Sequence, residues 1–300
     1  YGFEVCIIAR NETYNFIKEK GLNIQVNQNK KILLKKNIKI SNKFKIYKSI
    51  NYIKEKKIDY LFITVKLKNY NKNFINNTIK IIDNNTAIIP PCTNIPSWWL
   101  KQFFKNKFNI KDNTYYNISN IIGMTMWLSS VKINSNSIIV RHIQRGYPLK
   151  AINKKMKNKE KILQAAFQYT SKSPIVKNIY SEIFVKSLNA LAFNMTALYF
   201  NQNNKKLNDN KKALLMIEKI MLEGGEIMKY LKIEHSQNHK QRIKQTLSSS
   251  AHTMSMLYDY RIGKEIELKY LWRSFKKLIS LSDIKMNYTD KIYKKLIKKI

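Results

Sequence analysis

The sequence predicts an α/β half followed by an all-α half, and three observations carry that expectation. In the first half short apolar runs alternate with helix-period segments, as strand-helix-strand units do. Beyond about Asn153 the pattern changes to long helical periods separated by polar breaks. The chain has 300 residues and 44% hydrophobic content, enough to close a core around each half.

Glu4 to Ala9, "EVCIIA", has the continuous apolar character of a buried strand, and "NETYNFIKEKG" after it predicts a helix ended by Gly21. "DYLFITVK" predicts a second buried strand, followed by the amphipathic "NKNFINNTIKII" and by "TAIIPP", a third strand stopped by Pro90 and Pro91. Runs without alternating polarity suit a parallel sheet covered on both faces. "NIIGMTMWLSSVKI" and "SIIVRHIQ" predict an added antiparallel pair. Helices are expected near 156–171, 179–200, 211–231, 240–260, 264–281 and 289–299, with "SKSP", "NQNNKKLNDN", "RIGKE" and "SDIKMN" as breaks. The expected domains are thus 1–155 and 156–300, with no internal repeat. Ligands of open α/β sheets bind outside the carboxyl ends of the strands, so the cleft facing the second domain is the expected site.

The formal charge of +37 invites a polyanion-binding reading. Groove and phosphate readers favour the bidentate fork of Arg, yet of 56 basic residues only Arg10, Arg141, Arg145, Arg242, Arg261 and Arg273 are arginines. Lys, Asn, Ile and Tyr share A- and T-rich codons, so base-composition drift accounts for the excess more simply, and no nucleic-acid partner is expected. Cys6 and Cys92 cannot form the disulfide framework of a small secreted protein. No stretch approaches the roughly 18 consecutive apolar residues of a membrane span, and the first ten residues lack a signal-peptide layout. A soluble protein of the reducing cytoplasm is expected, with its oligomeric state left open.

A dinucleotide-binding Rossmann sheet needs a glycine-rich turn after its first strand, and none of the seven glycines makes G-x-G-x-x-G. The chain opens on Tyr1, and "YGFEVCIIAR" matches the end of a first helix running into a second strand. The expectation is a fragment lacking about 20 residues, its first strand and glycine loop; the alternative is a decayed gene product that never had them. Arg10 then stands where the pattern places the residue that reads the adenosine ribose, and a guanidinium there suits the 2′-phosphate of NADP.

From Ile183 to Asn204 the only ionisable side chains are Lys186 and Tyr199. On a helix Lys186 and Asn194 lie within about 80° of each other, flanked by Ile183, Phe184, Leu188, Leu191 and Phe193. Burial of the ammonium lowers its pKa and suits it to proton transfer near neutral pH. The competing reading is a lysine that snorkels to the helix edge.

Phe184, Lys186 and Asn194 resemble the aromatic-x-Lys helix of the ketopantoate reductases (2-dehydropantoate 2-reductases). "HTMSMLYDYRIGKEIEL" resembles that family's Ser-Met-Leu-x-Asp stretch followed by Gly-x-x-x-Glu, matching Ser255, Met256, Leu257, Asp259, Gly263 and Glu267. "GFEVCIIAR", "FITVKLKNY", "NIPSWW" and "RHIQRGYPLKAI" fall in the family's order, so the resemblance covers almost the whole chain. It implies NADPH-dependent reduction of ketopantoate to pantoate, for pantothenate and coenzyme A synthesis. Lys186 would be the general acid, Glu267 would help hold substrate and lysine, and Asn194 and Ser255 would bind the substrate. Lys66 and Thr93, with Arg10, would border the cofactor. The chain departs from the family at Ala190, where a substrate-binding asparagine is usual, at Thr93-Asn94 in place of Asn-Gly, and at Lys150-Ala151-Ile152 in place of Gly-Glu-Pro. The alternatives are a same-fold reductase of another 2-keto acid, an inactive relative and, from a different class, a basic polyanion-binding protein.

No metal site is expected: His235 and His239 are spaced i, i+4 but lie in a polar segment without a third ligand. Ser248 to Ser250 show no nucleophile-elbow pattern. Trp98 and Trp99 are read as packing at a helix start.

Overall fold

A computed structural model describes residues 2–28, 31–55, 57–90, 94–104, 107, 118–168, 171–234, 238–248 and 252–300. The described residues form two compact units, the first made of Tyr1–Thr64, Asn71–Pro91 and Tyr115–Lys177, the second of Val65–Tyr70, Cys92–Thr114 and Asn178–Ile300. The architecture is a Rossmann-like parallel β arrangement in the first and an all-helical second, as expected for an α/β chain continued by an all-α one.

In the first unit β1 (Val5–Ile8) leads into α1 (Asn11–Lys20), which ends at Gly21. Gly21 has φ +76°, and a Cβ there would stand 2.7 Å from the carbonyl oxygen of Ile38, so only glycine fits this turn. Next come β2 (Leu22–Gln28), β3 (Lys31–Ile38), β4 (Phe44–Tyr47), β5 (Tyr60–Phe62), α2 (Lys72–Ile79) and β6 (Ala87–Ile89). β1 pairs parallel with β4, and β5 pairs parallel with β6. β6 is fully buried, as its sequence predicts. β1 is not: Val5 is 46% and Ile8 44% exposed, because among the described residues the strand has β4 as its single neighbour. β5 is also shorter than expected, and its residues are only partly covered.

β2 and β3 are additions to the expected elements. Their hairpin joins β8 (Trp127–Asn134) and β9 (Ser137–Gly146) in a sheet of order β3-β2-β9-β8, in which β8 and β9 form the expected antiparallel pair. "NIIGM" does not belong to that pair. It supplies β7 (Ile122–Met124), which runs antiparallel to β10 (Leu149–Ala151). Ala87, Ile89, Ile122, Met124, Leu149 and, from the segment ending in α4 (Lys157–Gln168), Met156 and Leu163 form one buried cluster.

The second unit contains α3 (Ser97–Phe103), α5 (Ile179–Phe200), α6 (Asn204–Asn208), α7 (Lys211–Tyr230), α8 (His239–Leu247), α9 (Ser255–Arg261), α10 (Leu268–Ser282) and α11 (Asn287–Ile297). α5 starts where Asn178 accepts a hydrogen bond from the Ser181 N–H and ends on Asn201 at φ +52°. It is long and apolar enough to cross a membrane by length and composition alone, although polar residues such as Glu182, Lys186 and Asn194 interrupt its apolar run, as expected. Its residues are instead buried by its neighbours. Phe184 lies against Trp99 and Phe275, with ring centroids 5.9 and 6.0 Å apart, and the Trp99 Nε1–H donates to the Tyr180 carbonyl. Trp98 and Trp99 are therefore core packing, as read from sequence.

Over the expected 240–260 helix the described residues form two helices, α8 and α9, and residues 249–251 between them lie outside the described residues. The break "NQNNKKLNDN" contains α6, started by an Asn203 side chain that accepts from the Lys206 N–H. α10 begins at Leu268, four residues later than expected.

α7 approaches α5 at Gly224, where a Cβ would lie 2.3 Å from Leu188 Cδ1, while a Cβ on Gly225 would meet nothing within 4 Å. Leu188 is itself 2% exposed and has no open space to yield. Gly224→Ala should therefore lower stability by about 1–3 kcal/mol through overpacking. Gly225→Ala should raise it by about 0.5–1 kcal/mol through helix propensity. Urea denaturation of the two variants checks this opposition of sign.

Candidate active site

Of the expected site residues that are described, Lys66, Lys186, Asn194, Ser255 and Glu267 lie in the second unit, Lys186 and Asn194 on α5. Lys186 sits at the middle of this helix on a stretch where Ile183, Phe184, Leu188, Leu191 and Phe193 are each at most 2% exposed. The residue keeps partial contact with the surface, yet burial of its ammonium pulls the pKa down to about 8, and the positive charge of Arg242 pulls it the same way. Both causes favour the neutral amine, since one removes water from the charge and the other adds a like charge.

Asn194 lies two turns further along and is 5% exposed. Its Nδ2–H donates to the Ala190 carbonyl at 2.7 Å, and its Oδ1 accepts the Met256 N–H at 3.1 Å. The side chain thus ties α5 to the first turn of α9. Ser255, the first residue of α9, is placed beside that link and is exposed.

Residues 65–70 are held by three acids to α9, to the N-terminal cap of α10 and to the segment between them. The Lys66 ammonium pairs with Asp259 at 2.7 Å, the Lys68 ammonium with Glu265 at 2.9 Å, and Glu267 Oε1 accepts the Leu67 N–H at 2.6 Å. The structure therefore joins Lys66 to the helices through a partner that the sequence reading had not assigned to it. Glu267 stands at the N-terminal cap of α10.

Arg10 lies in the first unit, in the turn between β1 and α1, where it is exposed and its side chain makes no capping hydrogen bond. Thr93 lies outside the described residues, as do Cys92 and His235. His239 faces Glu218 at 3.8 Å, and among the described residues no group of three potential metal ligands occurs.

Sequence reasoning did not single out Arg242 and Asn189. Arg242 is 4% exposed, its Nε–H donates to Asn189 Oδ1 at 3.3 Å, and the Thr246 hydroxyl donates to the same oxygen at 3.1 Å. The available signal was rarity, because in a chain saturated with lysine an arginine is the exception.

The burial of Lys186 generates a stability prediction with a definite sign. Below about pH 8 the ammonium is charged in folded and unfolded chains alike, so the folded state bears the full desolvation cost. Between about 8 and the ordinary value of 10.5 the folded chain gives up its proton first, and stability rises with pH. Lys186→Met should be more stable than the parent at pH 7 by about 3 kcal/mol. Urea midpoints across pH should show that gap closing between about pH 8 and 10.5.

Residues 178–299 match the family model for the C-terminal domain of ketopantoate reductase, PanE/ApbA. Solved structures match over nearly the whole chain. D-mandelate dehydrogenase in complex with NADH and anilino(oxo)acetate aligns with a TM-score of 0.78 at 16% identity, over 99% of this chain and 91% of the other. The 2-dehydropantoate 2-reductases of Geobacter metallireducens and Methylococcus capsulatus align with TM-scores of 0.77 and 0.72, each at 15% identity. The first covers 100% of this chain and 93% of its own, the second 99% and 90%. No curated protein matches the chain in sequence. At the level of family, the chain matches the ketopantoate reductases through its helical C-terminal domain, and it shares their fold along its length.

Proposed function

We propose that the protein reduces a 2-keto acid with NADPH, and that the substrate is ketopantoate, giving pantoate. The observation that carries this reading is Lys186, an amine on a buried helix whose pKa is brought down to about 8. At neutral pH it holds a proton yet releases it readily, as a general acid must. It donates that proton to the carbonyl oxygen as hydride reaches the carbonyl carbon, and before transfer its charge stabilises the developing alkoxide. Ser255 offers the substrate a hydroxyl, and Asn194 fixes the start of α9 from which that hydroxyl projects. Glu267 orders the backbone of residues 65–70 next to Lys66.

When bound, NADPH supplies the hydride. The described residues fit the cofactor in part: Arg10, exposed after a parallel strand, suits a 2′-phosphate, while Lys66 is already paired with Asp259. None of the glycines forms the turn that a pyrophosphate needs. Thr93 is assigned to the cofactor by resemblance alone.

A second reading, reduction of a different 2-keto acid, is favoured by Ala190, which presents a methyl group where the family has a substrate-binding amide. NADPH oxidation by the full-length protein, with ketopantoate and then with other 2-keto acids, separates the two. Lys186→Ala should lower turnover by about 10²- to 10⁴-fold. Turnover of the parent should fall as pH rises through about 8, where the amine loses its proton. A Lys186→Ala protein that keeps its activity would contradict the assignment.

A further inference from the structure

α7 buries one face against the helices around it and leaves the opposite face exposed. On that face Leu215 and Leu222 are 51% and 46% exposed and stand seven residues apart, and the exposed Lys219 and Glu226 repeat the same step. Seven residues advance a helix by about two turns, so the four side chains lie within about 60° of one another on a single stripe, with Tyr230, 48% exposed, on its flank. The stripe runs between the neighbouring helices. On one side Glu218 meets His239 of α8 at 3.8 Å, and on the other Glu223 accepts the N–H groups of Tyr288 and Thr289 at the start of α11.

The charge of the stripe departs from that of the chain. Residues 214–228 hold one lysine and three glutamates, in a protein whose formal charge is +37. Two molecules of that charge repel each other, so they approach with least opposition where acid is locally in excess. The Glu226 carboxylate pairs with the Lys229 ammonium at 2.7 Å, but both side chains are more than half exposed, and such a pair rearranges at little cost.

We propose that this face of α7 is the interface of a homodimer in which two copies of the helix pack antiparallel about a two-fold axis between Leu222 and Glu223. Lys219 and Glu226 are equidistant from that point in the sequence, and so are Leu215 and Tyr230. An antiparallel second copy therefore sets Lys219 against Glu226 twice and Leu215 against Tyr230 twice, while Leu222 meets its own copy. A two-fold axis normal to the plane of the two helices keeps each flank on its own side, so the paired groups also agree in angle. The match of charge and of apolar groups about one point selects a second copy of this chain as the occupant. α7 has 20 residues and is about 30 Å long, so a single helical crossing makes a small interface, with a dissociation constant of about 1–50 μM. The inference is independent of the reductase reading.

The test is sedimentation equilibrium of the full-length protein up to about 200 μM, well above the expected constant. The parent should show a monomer–dimer equilibrium. Glu226→Lys sets a lysine against Lys219 of the second copy and should weaken dimerisation by about 10-fold or more, and Lys219→Glu should do the same by opposing two acids. The double variant, Lys219→Glu with Glu226→Lys, restores opposite charges and should return the affinity to within about 3-fold of the parent. A parent that stays monomeric over the whole range overturns the inference, as does a dimer indifferent to both single reversals or one that the double variant fails to restore. Assemblies that grow beyond the dimer would mean that the α7 face meets a different surface of the next copy, and overturn it too. If a charge reversal impairs folding, Leu222→Ser alters only an exposed side chain beside the axis. It should weaken dimerisation by about 10-fold, and unchanged affinity overturns the inference.

Discussion

An ammonium group placed in the middle of an apolar helix sets the terms for the second unit. α5 can bury Ile183, Phe184, Leu191 and Phe193 only by being enclosed on most sides, and the enclosure necessarily includes Lys186. Removing water from a charge costs free energy, which the group lowers by shifting toward its neutral form. The helix that carries the most buried surface therefore also carries an amine prepared to give up a proton. Packing and proton affinity are two consequences of the same placement.

The surrounding helices serve that placement in different ways. Gly224 allows α7 to close on Leu188, two residues from the lysine, and Trp99 and Phe275 cover Phe184 from α3 and α10. Asn194 binds the start of α9, so that Ser255 is fixed relative to α5 by a buried amide. Arg242 adds a second cation, and its Nε–H donates to Asn189. The like charge of Arg242 adds to burial in lowering the pKa of Lys186.

Much of this was legible in the residues, for identifiable reasons. α5 was predicted over 179–200, because a long apolar segment between Asn178 and Asn201 has clear ends. β6 was recognisable from "AII" ahead of two prolines. β2 was not assigned, although Leu22, Ile24 and Val26 alternate with polar residues as a half-buried strand does. The exposure of β1 could not be read from "VCII", since an apolar run reports composition and not how many neighbours cover it. At the site, Lys186 stood out because charge is rare around it, whereas the pairing of Glu267 with the Leu67 backbone spans 200 positions and leaves no local pattern. Arg242 was hidden in "KQRIKQ", where its neighbours suggest a solvated face and only tertiary packing buries it.

The measurement closest to the central claim is a direct titration of the Lys186 amine by NMR in protein carrying labelled lysine side chains, with Lys186→Met used to assign its resonance. The account predicts a midpoint near pH 8, separated from the bulk of the lysines. A midpoint at the ordinary value of 10.5 would show that water reaches the ammonium freely, and would contradict its use as an acid at neutral pH.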